Sequence, residues 1–167
     1  FLQARDLLLA HREDYDTAYA SFQWPALDRF TWALDYFDPM AAGNQRTALW
    51  VVEESGGELR FSFDAMRARS DRVANFLRRV GVRRSDRVLV MLPNVVALWE
   101  VTLAVMKLGA VISPATTLLS PDDLQDRIDR GELCHAVADT ASAEKLAGLR
   151  GLRTRTIVGG TAPGEKV

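Results

Sequence analysis

Cys134 and His135 are the residues of this chain whose types could support nucleophilic catalysis or metal binding. A cysteine nucleophile needs a histidine whose side chain converges with the thiol. The two residues lie in the apolar run LCHAVA, which favours a strand, and neighbours along a strand point to opposite faces. We therefore expect Cys134 in the core and His135 directed away from it. One cysteine and two distant histidines also argue against a typical zinc site and against an internal disulfide.

Glycine spacing raises the possibility of a phosphate-binding loop near the end of the chain. Gly159 and Gly164 have the spacing of such a loop, in which a lysine and a hydroxyl residue follow. Glu165 occupies the lysine position and would repel phosphate, so we interpret 159–167 as a linker or a truncated domain edge. A dinucleotide site needs a glycine-rich turn after a strand, and the turn Leu92-Pro93-Asn94 has none.

The first element that could position functional residues is a helical, aromatic-rich segment over residues 1–45. Within it, Leu27, Phe30, Leu34 and Phe37 recur at helical spacing and predict one apolar face. This segment is expected to pack on a core built later in the chain. Its aromatic residues are expected to serve packing.

Residues 46–158 alternate between strand and helix patterns, which is typical of an α/β subdomain with right-handed βαβ units. The first two strands predict a hairpin, and the later apolar strands predict a largely parallel sheet with helices on both faces. Asn94 is expected to cap one helix, and Ser120 another, with Asp122 and Asp123 in its first turn. The predicted strands are 47–52, 59–63, 87–92, 110–113, 134–138 and 154–158, and the predicted helices are 62–81, 95–108, 120–131 and 141–149.

Composition and charge exclude some classes of function. The chain is 48% hydrophobic and 26% charged, and its net charge is -1, so no basic surface favours nucleic acid. The longest apolar run, 95–108, is interrupted by Glu100 and Lys107 and is too short to predict a transmembrane helix. No signal peptide is apparent, and a cytoplasmic location is expected.

Several short motifs, in their order, resemble the adenylate-forming (AMP-binding) enzymes. The stretch Met106–Pro114 resembles their Lys-x-Gly-Ala core motif, which leads into a strand and a proline. Within this superfamily, Pro114–Leu118 is similar to the medium-chain acyl-CoA synthetases. The other matching segments are Phe30–Ala33, Phe61–Met66, Gly81-Val82, Ser85–Val88, Leu92–Asn94, Asp123-Leu124 and Arg127-Ile128.

The resemblance implies an ATP-dependent ligation. A carboxylic acid would react with ATP to give an acyl-adenylate and pyrophosphate, and coenzyme A would then take the acyl group as a thioester. It implies ATP, Mg and coenzyme A as cofactors of a full-length enzyme that begins with this segment. The family's phosphate loop and adenylation lysine lie later in the chain, and Lys107 is not that lysine. No catalytic residue is therefore assigned within 1–167, and the segment alone is expected to be inactive.

The resemblance also suggests Thr116, Thr117 and Leu118 as residues near coenzyme A. Leu118 stands where medium-chain members tend to carry a polar residue, so it can offer only backbone bonds and packing. An equally open interpretation is that the threonines merely shape a loop. Two other functions also remain open: a non-catalytic α/β binding module, and another adenylate-forming activity, such as amino-acid activation or luciferase-like oxidation.

Overall fold

The computed structural model describes residues 1–159, so the predicted linker after Gly159 lies outside the described residues. Residues Phe1–Phe30 form one compact unit, and the chain from Thr31 onward forms a second. The first unit contains two helices, α1 (Leu2–Ala10) and α2 (Tyr15–Ser21). The domain boundaries that the sequence suggests, after residues 45 and 158, stay predictions.

The second unit begins with a π-helical turn, Trp32–Phe37, that continues into α3 (Asp38–Ala41). The apolar face predicted for this region is confirmed at Phe37 and wrong at the other three positions. Leu27 and Phe30 precede the helix and are exposed, as is Leu34. The buried residues are Ala33, Phe37 and Ala41. They are four apart, which places them on one face once the helix begins at Trp32.

The predicted hairpin is confirmed, and a capped helix follows it. Strands β1 (Thr47–Val52) and β2 (Glu58–Ser62) pair in antiparallel fashion. The Ser62 hydroxyl accepts a hydrogen bond from the Ala65 amide at 3.1 Å and begins α4 (Phe63–Arg79). Such a cap satisfies one of the backbone N–H groups that the first turn leaves without a partner.

The predicted parallel sheet is also confirmed. Its four strands are parallel and lie in the order β4-β3-β5-β6, so the first strand of the sheet along the chain is central. The connections contain α5, α6 and α7, the last preceded by a 3-10 turn at Thr140–Ser142. The bounds are β3 (Arg87–Met91), α5 (Val96–Lys107), β4 (Val111–Pro114), α6 (Pro121–Gly131), β5 (His135–Asp139), α7 (Ala143–Ala147) and β6 (Thr154–Val158).

Helices cover both faces of the sheet, because β3 and β5 alternate apolar side chains between them. Val88 and Val90 pack with α4 and α5 on one face. Leu89 and Met91 pack with α6 and α7 on the other face. All four side chains are buried. Burial of each contributes about 1.5–3 kcal/mol, which explains the continuous apolar run in the sequence.

Helix α5 differs from its prediction in three respects. Its N-cap is Val95, without a side-chain hydrogen bond, so Asn94 is not the predicted cap. Its bounds, Val96–Lys107, begin and end one residue inside the predicted 95–108. Its buried face includes Glu100, whose carboxylate pairs with Arg69 of α4. Among residues 1–159, no helix is both long enough and apolar enough to cross a lipid bilayer.

Candidate functional site

The carboxyl edge of the sheet is the place where this fold can build a ligand site. The chain leaves β3 towards α5 on one face, whereas it leaves β4 and β5 towards helices on the other face. The connections that follow β3 and its two neighbours therefore diverge at this edge. In open parallel α/β sheets, ligands bind where the connections diverge in this way. The loops concerned are 92–95, 115–119 and 139–140.

The loop after β4 contains the predicted coenzyme A-proximal residues. It begins with the Ala115 amide bonded to the Val90 carbonyl at 2.9 Å, which continues the pairing of β4 with β3. The Leu118 amide then donates to the Thr116 hydroxyl at 3.3 Å, closing a tight turn. The Leu118 side chain is 87% exposed, Thr116 is exposed and Thr117 is half-buried. The three residues thus form one short, outward-facing turn, and their role towards coenzyme A stays a prediction.

Lys145 anchors this loop, and its surroundings in the sequence did not predict this role. Its ammonium donates to the Thr117 carbonyl at 2.6 Å and to the Leu119 carbonyl at 3.1 Å. Lys145 lies on α7 and is half-buried. No local sequence pattern predicts this role, because its partners, Thr117 and Leu119, precede it by 28 and 26 residues. They come within hydrogen-bond distance of the lysine only in the folded structure.

The other two loops at this edge bring further polar groups near the end of β3. After β5, the Asp139 carboxylate accepts the Ser142 amide at 2.9 Å and begins the turn that leads into α7. The Thr140 hydroxyl lies 3.4 Å from the Val158 carbonyl and is exposed. Asn94 is exposed and free of the capping role predicted for it. The edge therefore offers hydroxyl, amide and backbone groups, which suit the recognition of an uncharged polar ligand segment.

At the opposite edge of the sheet, Cys134 and His135 converge instead of pointing apart. The predicted divergence was wrong, because β5 begins at His135 and Cys134 precedes it. His135, which was expected to point away from the core, is buried. Together with Asp86 their ligand atoms lie within 4.8 Å of one another, the one such group found within residues 1–159. His135 uses both ring nitrogens, with Nδ1 2.7 Å from the Thr154 hydroxyl and Nε2 3.1 Å from Asp86. It is therefore already engaged and is not placed to act as a base for Cys134.

The surroundings of Asp86 favour a structural network over a metal site. Its Oδ2 accepts the Arg83 amide at 2.7 Å in addition to His135, and its Oδ1 lies 3.5 Å from the Arg153 guanidinium. Burial raises the pKa of the Asp86 carboxyl, but the bonds from Arg83 and His135 outweigh it and hold the pKa below its ordinary value. A guanidinium beside an already bonded carboxylate opposes a bound cation. The group braces β3, β5 and β6.

Comparison with protein families identifies the chain. The model of the AMP-binding enzyme family matches residues 39–165, which include the hairpin, the parallel sheet and the loop at its carboxyl edge. The chain belongs to the AMP-binding enzyme family. Its relatives include acyl-CoA synthetases of the medium-chain ACSM group, at about 30% identity. The family resemblance drawn from the motifs is confirmed.

Three comparisons illustrate the relationship. The chain is 36% identical over 117 residues to acyl-coenzyme A synthetase ACSM2, mitochondrial, of Rattus norvegicus, covering 66% of this chain and 20% of that protein. It is 29% identical over 118 residues to the uncharacterized acyl-CoA ligase YtcI of Bacillus subtilis, covering 65% of this chain and 22% of that one. The crystal structure of Brucella canis acyl-CoA synthetase matches 92% of this chain and 29% of its own, with a TM-score of 0.79 and 23% identity.

The AMP-binding chain therefore spans about a fifth of the length of these curated relatives. The likeness to the Brucella structure shows that the sheet, the hairpin and the helices have the arrangement of the N-terminal domain of acyl-CoA synthetases. Its activity, substrates and partners require argument of their own.

Proposed function

We propose that this chain is the N-terminal portion of an ATP-dependent carboxylic acid–CoA ligase of the medium-chain type. The full-length enzyme converts an acid and ATP to an acyl-adenylate and pyrophosphate, and then transfers the acyl group to the thiol of coenzyme A. The observation that carries the proposal is the continuous match of 39–165 to the AMP-binding family, together with relatives named as acyl-CoA synthetases.

The chemistry explains why such an enzyme needs a rigid sheet edge. A carboxylate is a poor electrophile, and adenylation supplies a good leaving group. The rate then depends mainly on positioning and on stabilisation of the developing charge. ATP with Mg and coenzyme A would be the cofactors. The residues of this chain that could take part are the exposed groups at the carboxyl edge, with Thr116, Thr117 and Leu118 nearest to coenzyme A.

We further propose that residues 1–167 do not complete the reaction alone. The segment corresponds to about a fifth of its relatives. Within residues 1–159, the carboxyl edge offers hydroxyl and amide groups, and its lysine, Lys145, is bonded to carbonyls. A triphosphate needs several free cationic or N–H donors, so ATP binding is assigned to later parts of the enzyme.

The proposal is tested on the full-length protein with a panel of straight-chain acids from acetate to palmitate, with benzoate and with amino acids. We expect acid-dependent exchange of pyrophosphate into ATP without coenzyme A, and acyl-CoA formation when it is added. Residues 1–167 alone should give neither. Exchange without thioester formation would favour another adenylate-forming activity. The absence of exchange with every acid, including amino acids, would favour a binding module.

The cytoplasmic location stays a prediction. Several relatives are named as mitochondrial, including the ACSM2 enzyme of the rat. Imaging of the tagged full-length protein in its own cells would distinguish the two compartments.

A further inference from the structure

Lys145 makes an unusual type of contact for a lysine on a short helix. Within residues 1–159, its ammonium forms no ion pair with a carboxylate. It donates instead to two carbonyls of one loop, those of Thr117 and Leu119, at 2.6 and 3.1 Å. Hydrogen bonds from a charged donor are roughly twice as strong as neutral ones. Two of them, on alternate residues, fix the backbone of the loop 115–119 at two points.

The contact determines which groups of the loop face outwards. The carbonyls of Thr117 and Leu119 are drawn towards α7, whereas the residues between and before them, Leu118 and Thr116, are exposed. The weak Leu119 amide bond to the Thr116 carbonyl, at 3.4 Å, and the Thr116 hydroxyl bond at 3.3 Å would not hold this turn alone. The shape of the loop therefore depends on Lys145.

We propose that Lys145 is a positioning residue for coenzyme A. It holds the turn Thr116–Leu118 in the conformation that receives coenzyme A and does not touch the reacting atoms. The inference rests on the proposed ligase function, and it deepens it by naming the residue that shapes the coenzyme A side of the site. Removal of the tether should weaken the use of coenzyme A and leave formation of the adenylate intact.

A matched control separates this role from general support of α7. Arg155, on β6, also donates to two backbone carbonyls, that of Leu146 in α7 and that of Leu149 just after it. Among the hydrogen bonds of residues 1–159, none joins Arg155 to the loop after β4. Arg155→Met therefore removes a similar pair of charged hydrogen bonds from α7 and the residues that follow it, whereas Lys145→Met removes the pair that reaches the loop.

The experiment uses the full-length protein and two measurements. Hydrogen exchange of the peptide that spans Ala115–Leu119 should become at least about tenfold faster in Lys145→Met. The same peptide should be unchanged in Arg155→Met. In steady-state kinetics, Lys145→Met should raise KM for coenzyme A about tenfold, with the acid-dependent ATP–pyrophosphate exchange rate within twofold of the parent. Lys145→Arg, which keeps the charge and the donors, should restore KM to within about threefold.

The outcomes distinguish the failures. If exchange at Ala115–Leu119 is unchanged in Lys145→Met, Lys145 does not shape the loop and the inference is overturned. If the loop is loosened while KM for coenzyme A stays the same, the loop does not receive coenzyme A, and the inference is overturned while the ligase function stands. If the parent protein forms no thioester with any acid, the proposed function fails and the inference fails with it.

Discussion

Lys107 is a residue whose replacement should strongly destabilise the unit that contains the sheet. Its side chain is only 4% exposed, and its ammonium lies 2.7 Å from Asp38 Oδ1 and 2.7 Å from Asp71 Oδ1. It joins α5 to α3 and α4, and it also donates to the Arg67 carbonyl at 3.3 Å. Asp38 Oδ1 is buried and makes no hydrogen bond within residues 1–159. The nearby charge of Lys107 therefore offsets the cost of burying this carboxylate oxygen.

The magnitude follows from the charge that Lys107→Met would leave behind. Removal of one member of a buried ion pair costs about 3–5 kcal/mol, because the other charge stays desolvated. The Asp38 side chain is 20% exposed and the Asp71 side chain 42%, so water can partly solvate both after the change. We therefore expect about 3 kcal/mol, a large share of the roughly 5–15 kcal/mol that stabilises a typical domain.

Urea unfolding followed by tryptophan fluorescence measures this loss. Arg130→Met is the control, since Arg130 forms an exposed pair with Asp126 on α6 and should lose about 0.5 kcal/mol or less. The double variant Lys107→Met/Asp38→Asn should regain about 1–2 kcal/mol, because it removes the stranded charge. A Lys107→Met protein within 1 kcal/mol of the parent, or a double variant no more stable than the single one, would refute the reasoning.

Three further predictions concern the same fold. Ser120→Ala should cost about 1 kcal/mol in urea unfolding by removing the cap of α6, and equal stability would contradict the capping box. Gly109→Ala should cost about 1–2 kcal/mol, since φ is +65° and the new Cβ would lie 3.2 Å from Arg84. Gly148→Ala is the control, because φ there is -91° and no atom lies near the new Cβ, and it should be neutral or stabilising. A similar loss of stability in the two glycine variants would show that backbone strain at Gly109 is not the cause. Asp86→Asn should lower the free energy of unfolding above about pH 4. The difference in this free energy between the variant and the parent should shrink as the pH falls through the lowered pKa of Asp86, because the carboxylate stabilises the fold only while it is ionised. A difference that stays constant from pH 7 to pH 2.5 would show that the carboxylate charge is not responsible.

Local patterns predicted most of the sheet unit. The run Arg87–Leu92 and the segment from Thr154 to Val158 were predicted as strands because apolar and β-branched residues are concentrated there, and β3 and β6 agree with this within one residue. The start of α6 was predicted because Ser120 can bond the third amide of the helix without any distant partner. Such features depend on neighbours in sequence, so the sequence alone determines them.

The predictions that were wrong concern features that depend on contacts between residues distant in sequence. The aromatic segment before the hairpin was given the wrong buried face, because its helix begins only at Trp32. Cys134 and His135 were expected to diverge, but the register of β5 with β3 places both beside Asp86. The convergence depends on residues almost fifty positions apart, and periodicity carries no information about such pairs.

The sequence by itself determined the α/β class, the hairpin, the Ser120 cap of α6 and, through motif order, the AMP-binding family. Tertiary structure decided which loops share the carboxyl edge of the sheet and what holds them. Lys145 and Lys107 show the difference most clearly, because each is an ordinary helical lysine in sequence. One fixes a loop 26 and 28 residues away, and the other compensates a buried carboxylate. The physical reason is that a charged group acquires its role from the partners that folding places within hydrogen-bond distance.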